Sequence, residues 1–217
     1  MKLFEQYRPR EWGDVIGQDA VVKALLRLRD TRGLAGNVFW LSGGSGQGKT
    51  TVARLIAQEV AGELATHELN ARAVDVAFVR DMERHWNTTV LPMGSDKTGR
   101  AWIFNEAHNL RAVVCEEFLT VLEAVPAHVV VIFTTTTDEQ KGLFEDYDNA
   151  PAFLSRHKKY KLARTGLAEA FAERARTIAQ AEGLDGQPIA RYVELVKQSR
   201  NNMRAVLEAI EAGEMIQ

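Results

Sequence analysis

Two short stretches of the chain consist of consecutive apolar residues, Ala101 to Phe104 and Val129 to Phe133. Runs of this length without polar alternation are typical of strands buried on both faces of a sheet. A third such strand is predicted at Val38 to Leu41, and a more polar one at His67 to Ala71. The chain is therefore expected to contain a central sheet with layers on both sides.

Apolar residues recur at helical spacing between these strands. Asp19 is predicted to be the N-cap of the first long helix, which ends near Gly33. The later helices of this region are predicted at Thr51 to Val60, Asp75 to Trp86 and Val113 to Val125. Strands that alternate with helices indicate an α/β fold with a parallel sheet, whose ligand lies at the carboxyl ends of the strands.

The strand signal ends near Gly166, and only helices are predicted beyond it. Three helices are predicted, at Leu167 to Ala181, Ile189 to Gln198 and Met203 to Glu211. Glycine, proline and asparagine residues separate them. We therefore divide the chain into a core of residues 1–163 and a small all-helical domain of residues 164–217.

The first predicted strand runs directly into a glycine-rich loop. Gly43, four further residues, then Gly48, Lys49 and Thr50 match the phosphate-loop pattern G-x-x-x-x-G-K-[ST]. Glycines let successive backbone N–H groups face phosphate oxygens, the lysine adds positive charge, and the threonine hydroxyl can bind Mg²⁺. The predicted nucleotide-binding residues are Gly43, Gly44, Ser45, Gly46, Gln47, Gly48, Lys49, Thr50 and Thr51. A glycine-rich turn beside a solvated lysine is the alternative, and the strand before the loop and the helix after it favour nucleotide binding.

Asn105 and Glu106 follow the second apolar strand directly. In phosphate-loop ATPases this place holds an acidic pair that binds Mg²⁺ and polarises the attacking water. Glu106 suits the general-base role, or it is a solvated carboxylate at a strand end. Asn105 offers Mg²⁺ a neutral oxygen where a carboxylate is preferred, so we expect weakened metal binding and slow turnover. Four threonines, Thr134 to Thr137, end the next strand and by themselves are weak evidence of a site.

Composition limits the classes of protein that the chain can belong to. It has 217 residues, 46% hydrophobic and 26% charged, which is typical of a globular protein. No apolar run approaches the roughly 20 residues of a membrane helix, and the N-terminus lacks a signal-peptide core, so a cytoplasmic protein without membrane contact is expected. The single cysteine, Cys115, excludes an internal disulfide and is expected to be a buried hydrophobe. With a net charge of −2, any contact with nucleic acid must use a local patch.

An ordered set of segments extends over nearly the whole chain. It comprises Tyr7-Arg-Pro-Arg10, Asp14-Val-Ile-Gly-Gln18, the phosphate loop, Glu68-Leu-Asn-Ala71, Asn105-Glu-Ala-His108, Thr136-Thr-Asp138 and Ser155-Arg-His157. This set resembles the ATPase subunits of DNA sliding-clamp loaders, an AAA+ family that includes bacterial gamma/tau and the small subunits of archaeal and eukaryotic loaders. The resemblance implies an AAA+ core with a helical lid, ATP and Mg²⁺ as ligands, and a role in DNA replication or repair.

The resemblance also implies roles for individual residues. Tyr7, Arg8, Val15 and Ile16 would border the adenine, Thr136 or Thr137 would sense the γ-phosphate, and Arg204 would reach that phosphate from the lid. Arg156 would be a finger inserted into the ATP site of a neighbouring subunit. For both arginines, a surface salt bridge is the alternative. The implied partners are further copies of the chain or related AAA+ subunits, together with a sliding clamp and DNA.

The chain departs from the family pattern at several places. Asn105 replaces an aspartate, His157 replaces a cysteine, and the segment Gly142 to Pro151 is longer than usual. A third helical collar domain is expected after the lid in this family, and the sequence stops at the lid. Two alternatives to a slowly hydrolysing clamp-loader ATPase therefore stay open: a nonhydrolysing ATP-dependent interaction subunit, and another AAA+ machine such as a helicase loader or a Holliday-junction motor.

Overall fold

Five parallel strands form the sheet of this protein in the order β2-β3-β4-β1-β5. The structure is a computed structural model and describes residues 1–86, 88, 96–136 and 157–216. The strands are β1 Asn37–Ser42, β2 Thr66–Asn70, β3 Arg100–Asn105, β4 Val129–Thr135 and β5 Lys158–Lys161. β4 lies between β1 and β3, so the loops that follow these three strands meet at one edge of the sheet.

Eight α-helices lie within the described residues. They are α1 Leu3–Gln6, α2 Asp19–Arg32, α3 Lys49–Val60, α4 Val76–Trp86, α5 Ala112–Val121, α6 Ala168–Ala181, α7 Ile189–Gln198 and α8 Met203–Glu211. The predicted α/β class, with a parallel sheet flanked by helices and a helical C-terminal segment, is confirmed. Most observed bounds differ from the predicted ones by one or two residues, and the helix predicted to reach Val125 ends at Val121, where a short 3₁₀ turn follows.

Alternate residues of the buried strands pack into two different layers. Trp40 and Phe133 contact one cluster that includes residues of α4 and α5. Phe39 and Ile132 contact a second cluster that includes residues of α2 and α3. Because neighbouring strand residues point to opposite faces, a strand covered on both sides must be apolar at every position, as the sequence pattern indicated.

The C-terminal helices form a third cluster, which includes part of the N-terminus. Phe171, Tyr192 and Ile210 belong to its buried core, and Leu3 of α1 is buried among them. Tyr7 and Ile16 pack against the same cluster. The N-terminal segment is thereby fixed against the helices beyond residue 163, and the domain division at residues 163 and 164 stays a prediction.

The structure differs from the sequence-based expectations at two further places. The strand β5 was not predicted, because Lys158-Lys-Tyr-Lys161 alternates exposed and half-buried residues and occupies an edge of the sheet, where lysines face water. Asp19 is not an N-cap but the first residue of α2, and Gln18 precedes it as the cap. The side chain of Gln18 bonds the backbone of Ala163 instead of a helix amide.

Cys115 is buried in α5, as predicted. Burial raises the pKa of its thiol to about 12, so the side chain stays a neutral thiol and serves as a small apolar group. Among the described residues, none of the helices combines the length and apolar character required to span a bilayer. The predicted loop from Leu91 to Arg100 lies partly outside the described residues, and Arg100 begins β3.

Candidate functional site

A pocket of about 420 Å³ opens where the carboxyl ends of the strands meet the C-terminal helices. It is lined by most of the residues that the sequence singled out: Tyr7, Arg8, Val15, Ile16, Ser45, Gly46, Gln47, Gly48, Lys49, Thr50, Thr51, Asn105, Glu106, Thr136 and Arg204. Gly43 and Gly44 are not in the lining, and both accept a hydrogen bond from Lys49. Thr137 and Arg156 lie outside the described residues.

The loop between β1 and α3 needs glycine at two of its positions. Gly46 and Gly48 have φ angles of 70° and 93°, in the left-handed region that residues with a Cβ rarely adopt. The Gln47 side chain closes the loop from within, because its Oε1 accepts a hydrogen bond of 2.6 Å from the Gly44 amide. Glycines at positions 46 and 48 therefore allow the backbone turn that leads into the N-terminus of α3.

Lys49 is buried at the first position of α3, with 8% of its surface exposed. Its Nζ donates to the carbonyl oxygens of Gly43 at 3.0 Å and Gly44 at 2.7 Å. Burial, together with the nearby positive charges of Arg164 and Arg204, lowers the pKa of this ammonium to about 8. A buried cation beside a helix N-terminus forms a place for an anion.

Asn105, at the end of β3, connects the loop to the neighbouring strands. Its Oδ1 accepts hydrogen bonds from Thr50 Oγ1 at 3.1 Å and from Thr134 Oγ1 at 3.0 Å. Its Nδ2 donates to Glu68 Oε1 at 2.8 Å. Two hydroxyl groups and one amide oxygen thus converge beside the phosphate loop, and oxygen donors of this kind suit Mg²⁺.

Glu106 has an unusual backbone conformation for a residue with a side chain. Its φ of 58° lies in the left-handed region, which costs of order 1 kcal/mol and recurs at functional sites. The backbone amide of Glu106 donates a hydrogen bond of 3.3 Å to the Thr134 hydroxyl. Its carboxylate accepts long hydrogen bonds of 3.4 Å from the side-chain amides of Asn70 and Asn109. The carboxylate therefore lies at the pocket with neutral donors on two sides.

The other end of the pocket is bordered by the N-terminal segment and by α6. Tyr7 Oη donates a 2.6 Å hydrogen bond to Glu182, and this bond raises the pKa of the phenol. Arg8 pairs with Glu5 at 2.6 Å. Apolar side chains of the C-terminal helices complete this wall; they are Phe171, Ile178, Met203 and Leu207. Apolar side chains beside polar groups of the N-terminal segment suit a heterocyclic base.

The helix α8 touches the phosphate loop directly. The Met203 amide donates to the Gly46 carbonyl at 3.3 Å, and a Cβ placed on Gly46 would lie 1.7 Å from Asn202 Oδ1. Arg204 lies in the pocket lining, with its guanidinium carbon 5.1 Å from the centre of the Phe4 ring. The start of α8 therefore packs against the phosphate loop, and Arg204 beside it lines the same pocket.

Several lining residues were not assigned a role from the sequence. They are Arg54, Glu68, Asn70, Thr134 and Arg174. Glu68 and Asn70 belong to β2, which pairs with β3 and so places them beside Asn105 and Glu106. The order of the strands, which the sequence does not state, brings these side chains together.

Residues 39–156 match the model of the ATPase family associated with various cellular activities (AAA). This match includes the phosphate loop and the Asn105–Glu106 pair and covers more than half of the chain. It covers β1 from Phe39 onward, β2 to β4, and the helices between these strands.

Curated relatives carry names of DNA-replication proteins. The chain is 27% identical over 154 residues to the DNA polymerase III subunit gamma/tau of Mycoplasma pneumoniae. The aligned region covers 62% of this chain and 22% of that protein. The chain is 35% identical over 108 residues to the replication factor C large subunit of Methanocella arvoryzae, and this alignment covers 49% of this chain and 19% of that protein. The chain thus spans about a fifth of the length of these two relatives.

Two solved structures of similar fold are those of RuvB from Thermotoga maritima and one of its point mutants. The Thermotoga maritima RuvB Holliday junction branch migration motor has a TM-score of 0.67 and 21% identity, covering 94% of this chain and 64% of that chain. A point mutant of the same protein has a TM-score of 0.70 at 20% identity, covering 95% and 65%. At this identity the similarity is evidence for the fold alone.

Proposed function

Because the chain belongs to the ATPase family associated with various cellular activities, we propose that it binds ATP around Lys49 and hydrolyses it slowly, as a clamp-loader-type subunit in DNA replication or repair. The observation that carries the proposal is the buried Lys49 ammonium, held by the carbonyls of the glycine loop at the start of α3. The clamp-loader assignment draws on the names of the curated relatives and on the ordered motifs of the chain.

The pocket suits ATP in size and in the distribution of its chemistry. Its volume of about 420 Å³ is within the usual range of small-molecule sites. The phosphates would lie on the loop amides and Lys49, with Arg204 approaching from α8. The adenine would lie between the Tyr7–Ile16 segment and the apolar wall of α6 and α8.

Thr50 and Asn105 would hold the Mg²⁺ that accompanies ATP. This ion supplies positive charge that stabilises the phosphate oxygens during transfer. The two residues fit this role because both offer oxygen atoms at one place beside the loop. Asn105 is neutral where a carboxylate is usual, so the binding of Mg²⁺ should be weakened more than the binding of ATP, and turnover should be slow.

Glu106 is the general base of the proposed hydrolysis, and Glu106→Gln tests it. The amide keeps the size of the side chain and loses the ability to take a proton from water, so turnover should fall by about 10² or more while ATP affinity is retained. Steady-state phosphate release and equilibrium ATP binding measure the two quantities. Glu116→Gln, an exposed change on α5, is the control. Unchanged turnover in Glu106→Gln would remove Glu106 from the mechanism.

ATP affinity should depend on pH through Lys49. Its pKa is lowered to about 8, so the free protein loses the ammonium charge as the pH rises through that value. Binding to phosphates requires the charged form, so affinity should be nearly constant between about pH 7 and 7.5 and should fall by nearly tenfold per unit above about pH 8.5. Titration of a fluorescent ATP analogue from about pH 7 to 9.5 measures this. A constant dissociation constant over that range would contradict the assignment of Lys49 as the phosphate cation.

A motor that acts on branched DNA is the alternative that the sequence leaves open, and RuvB, which shares the fold, is described as a Holliday junction branch migration motor. Hydrolysis with and without branched and primed DNA separates this candidate from a nonhydrolysing subunit, which turns over under neither condition. Capture by a sliding clamp from the same organism separates a clamp-loader subunit from both. Association with further copies or related subunits, and the lid boundary at residue 164, are parts of the same proposal.

A further inference from the structure

Four side chains form a continuous hydrogen-bonded chain along one side of the pocket. Thr50 donates to Asn105 at 3.1 Å, Asn105 donates to Glu68 at 2.8 Å, and Arg54 binds both Glu68 oxygens at 2.6 and 3.2 Å. Thr50 and Arg54 lie four residues apart on α3, so both ends of this chain lie on one helix face. These hydrogen bonds connect the first turns of α3 to β3 and β2.

Asn105 is held in one orientation by these bonds. Its oxygen accepts from two hydroxyl groups, and its nitrogen donates to a carboxylate, which only accepts hydrogen bonds when it is ionised. An aspartate at position 105 would place two acceptors against each other at this distance. The amide at position 105 and the carboxylate at position 68 are therefore complementary.

Resting on the function proposed above, we propose that Glu68 is a positioning residue for the Mg²⁺ of bound ATP. It turns the oxygen of Asn105 toward Thr50, and it supplies from β2 the negative charge that the amide of β3 lacks. The Glu68 side chain is 26% exposed and lines the pocket, so its charge acts where water screens it only partly. Arg54 offsets part of that charge from α3.

A purely structural role for the Arg54–Glu68 pair makes different predictions. In that case the pair would only tie β2 to α3, and removal of either partner would weaken the site in the same direction. If Glu68 supplies charge, its removal should lower the affinity for the metal, and removal of Arg54 should raise that affinity. The Arg80–Glu117 pair between α4 and α5 is a matched control, since Arg80 also binds both carboxylate oxygens, at 2.8 and 3.1 Å, and neither residue lines the pocket.

The experiment measures Mn²⁺ binding by electron paramagnetic resonance, with the full chain saturated by a nonhydrolysable ATP analogue. A full charge acting on a divalent ion in partly screened surroundings corresponds to about a tenfold change in affinity. Glu68→Gln should lower the affinity for Mn²⁺ by about tenfold, and Arg54→Gln should raise it by about threefold. The double change Asn105→Asp with Glu68→Gln reverses the donor and the acceptor and should restore at least the parent affinity for Mn²⁺. Glu117→Gln should leave it unchanged.

Each result has a defined meaning. Parent-like Mn²⁺ affinity in Glu68→Gln, or weaker binding in Arg54→Gln, overturns the positioning role while the proposed function stands, because the parent still binds metal and nucleotide. If Mn²⁺ affinity falls in Glu68→Gln and does not recover in the double variant, Glu68 has a structural role, and the proposal is also overturned. If the parent binds neither the analogue nor Mn²⁺, the proposed function fails and the inference fails with it. Arg54→Gln keeps the test decisive if Glu68→Gln does not fold, because Arg54 is 41% exposed.

Discussion

Lys49→Ala should abolish the tight binding of ATP. The ammonium is the buried cation of a loop that otherwise offers neutral N–H groups, and alanine removes both its charge and its two hydrogen bonds. At about 100 times the dissociation constant, ATP should stabilise the parent by roughly 2.7 kcal/mol, and the variant should gain almost nothing. For a chain of this size that energy corresponds to a rise in Tm of about 5 to 10 °C.

Thermal unfolding with and without ATP and Mg²⁺ measures the effect. Lys23→Ala, which removes an exposed lysine from α2, is the control and should keep the full rise in Tm. An equal rise for Lys49→Ala and the parent would mean that ATP stabilises the protein at some other place.

Arg156→Ala should leave ATP affinity intact and remove turnover. The prediction follows from the resemblance of the Ser155-Arg-His157 segment to the finger motif of clamp-loader subunits, since Arg156 lies outside the described residues. An arginine supplied by a neighbouring subunit stabilises charge on the departing phosphate and is worth about 10³ to 10⁵ in rate. The same arginine makes little difference to the ground state, so the dissociation constant of ATP should change by less than about threefold.

Mixing of two inactive variants tests whether the arginine acts between chains. An interface formed by Arg156→Ala and Lys49→Ala can combine an intact loop from the first with an intact finger from the second. The mixture should therefore recover part of the parent turnover, whereas each variant alone stays inactive. If the two proteins assemble together and no turnover returns, Arg156 does not act in trans.

The burial of each strand determines whether its place can be predicted from the sequence. β3 and β4 are covered on both faces, so every central residue had to be apolar and the strands were predicted from Ala101 to Phe104 and Val129 to Phe133. β5 is an edge strand with exposed lysines, and its short alternating pattern resembles a loop. The packing of Leu3 against the C-terminal helices depends on contacts between distant parts of the chain, which periodicity does not encode.

Some residues of the candidate site can likewise be predicted from the sequence, and others cannot. Lys49 and Thr50 were predicted because a contiguous motif has a fixed geometry. Glu68 and Thr134 received no individual role, because their places beside Asn105 depend on β2 and β4 both pairing with β3. The strained backbone of Glu106 likewise has no signature in the sequence, since glutamate is an uncommon residue at positive φ.

The measurement that tests the account most directly is sedimentation velocity with Mg²⁺ and ADP, with Mg²⁺ and a nonhydrolysable ATP analogue, and without nucleotide. An ATP site shared between subunits should assemble when the γ-phosphate is present, so the parent should form a larger species with the analogue alone, and Lys49→Ala should sediment as a single chain throughout. The account is contradicted if the parent, saturated with the analogue in a parallel binding assay, still sediments as a single chain at the highest concentration tested.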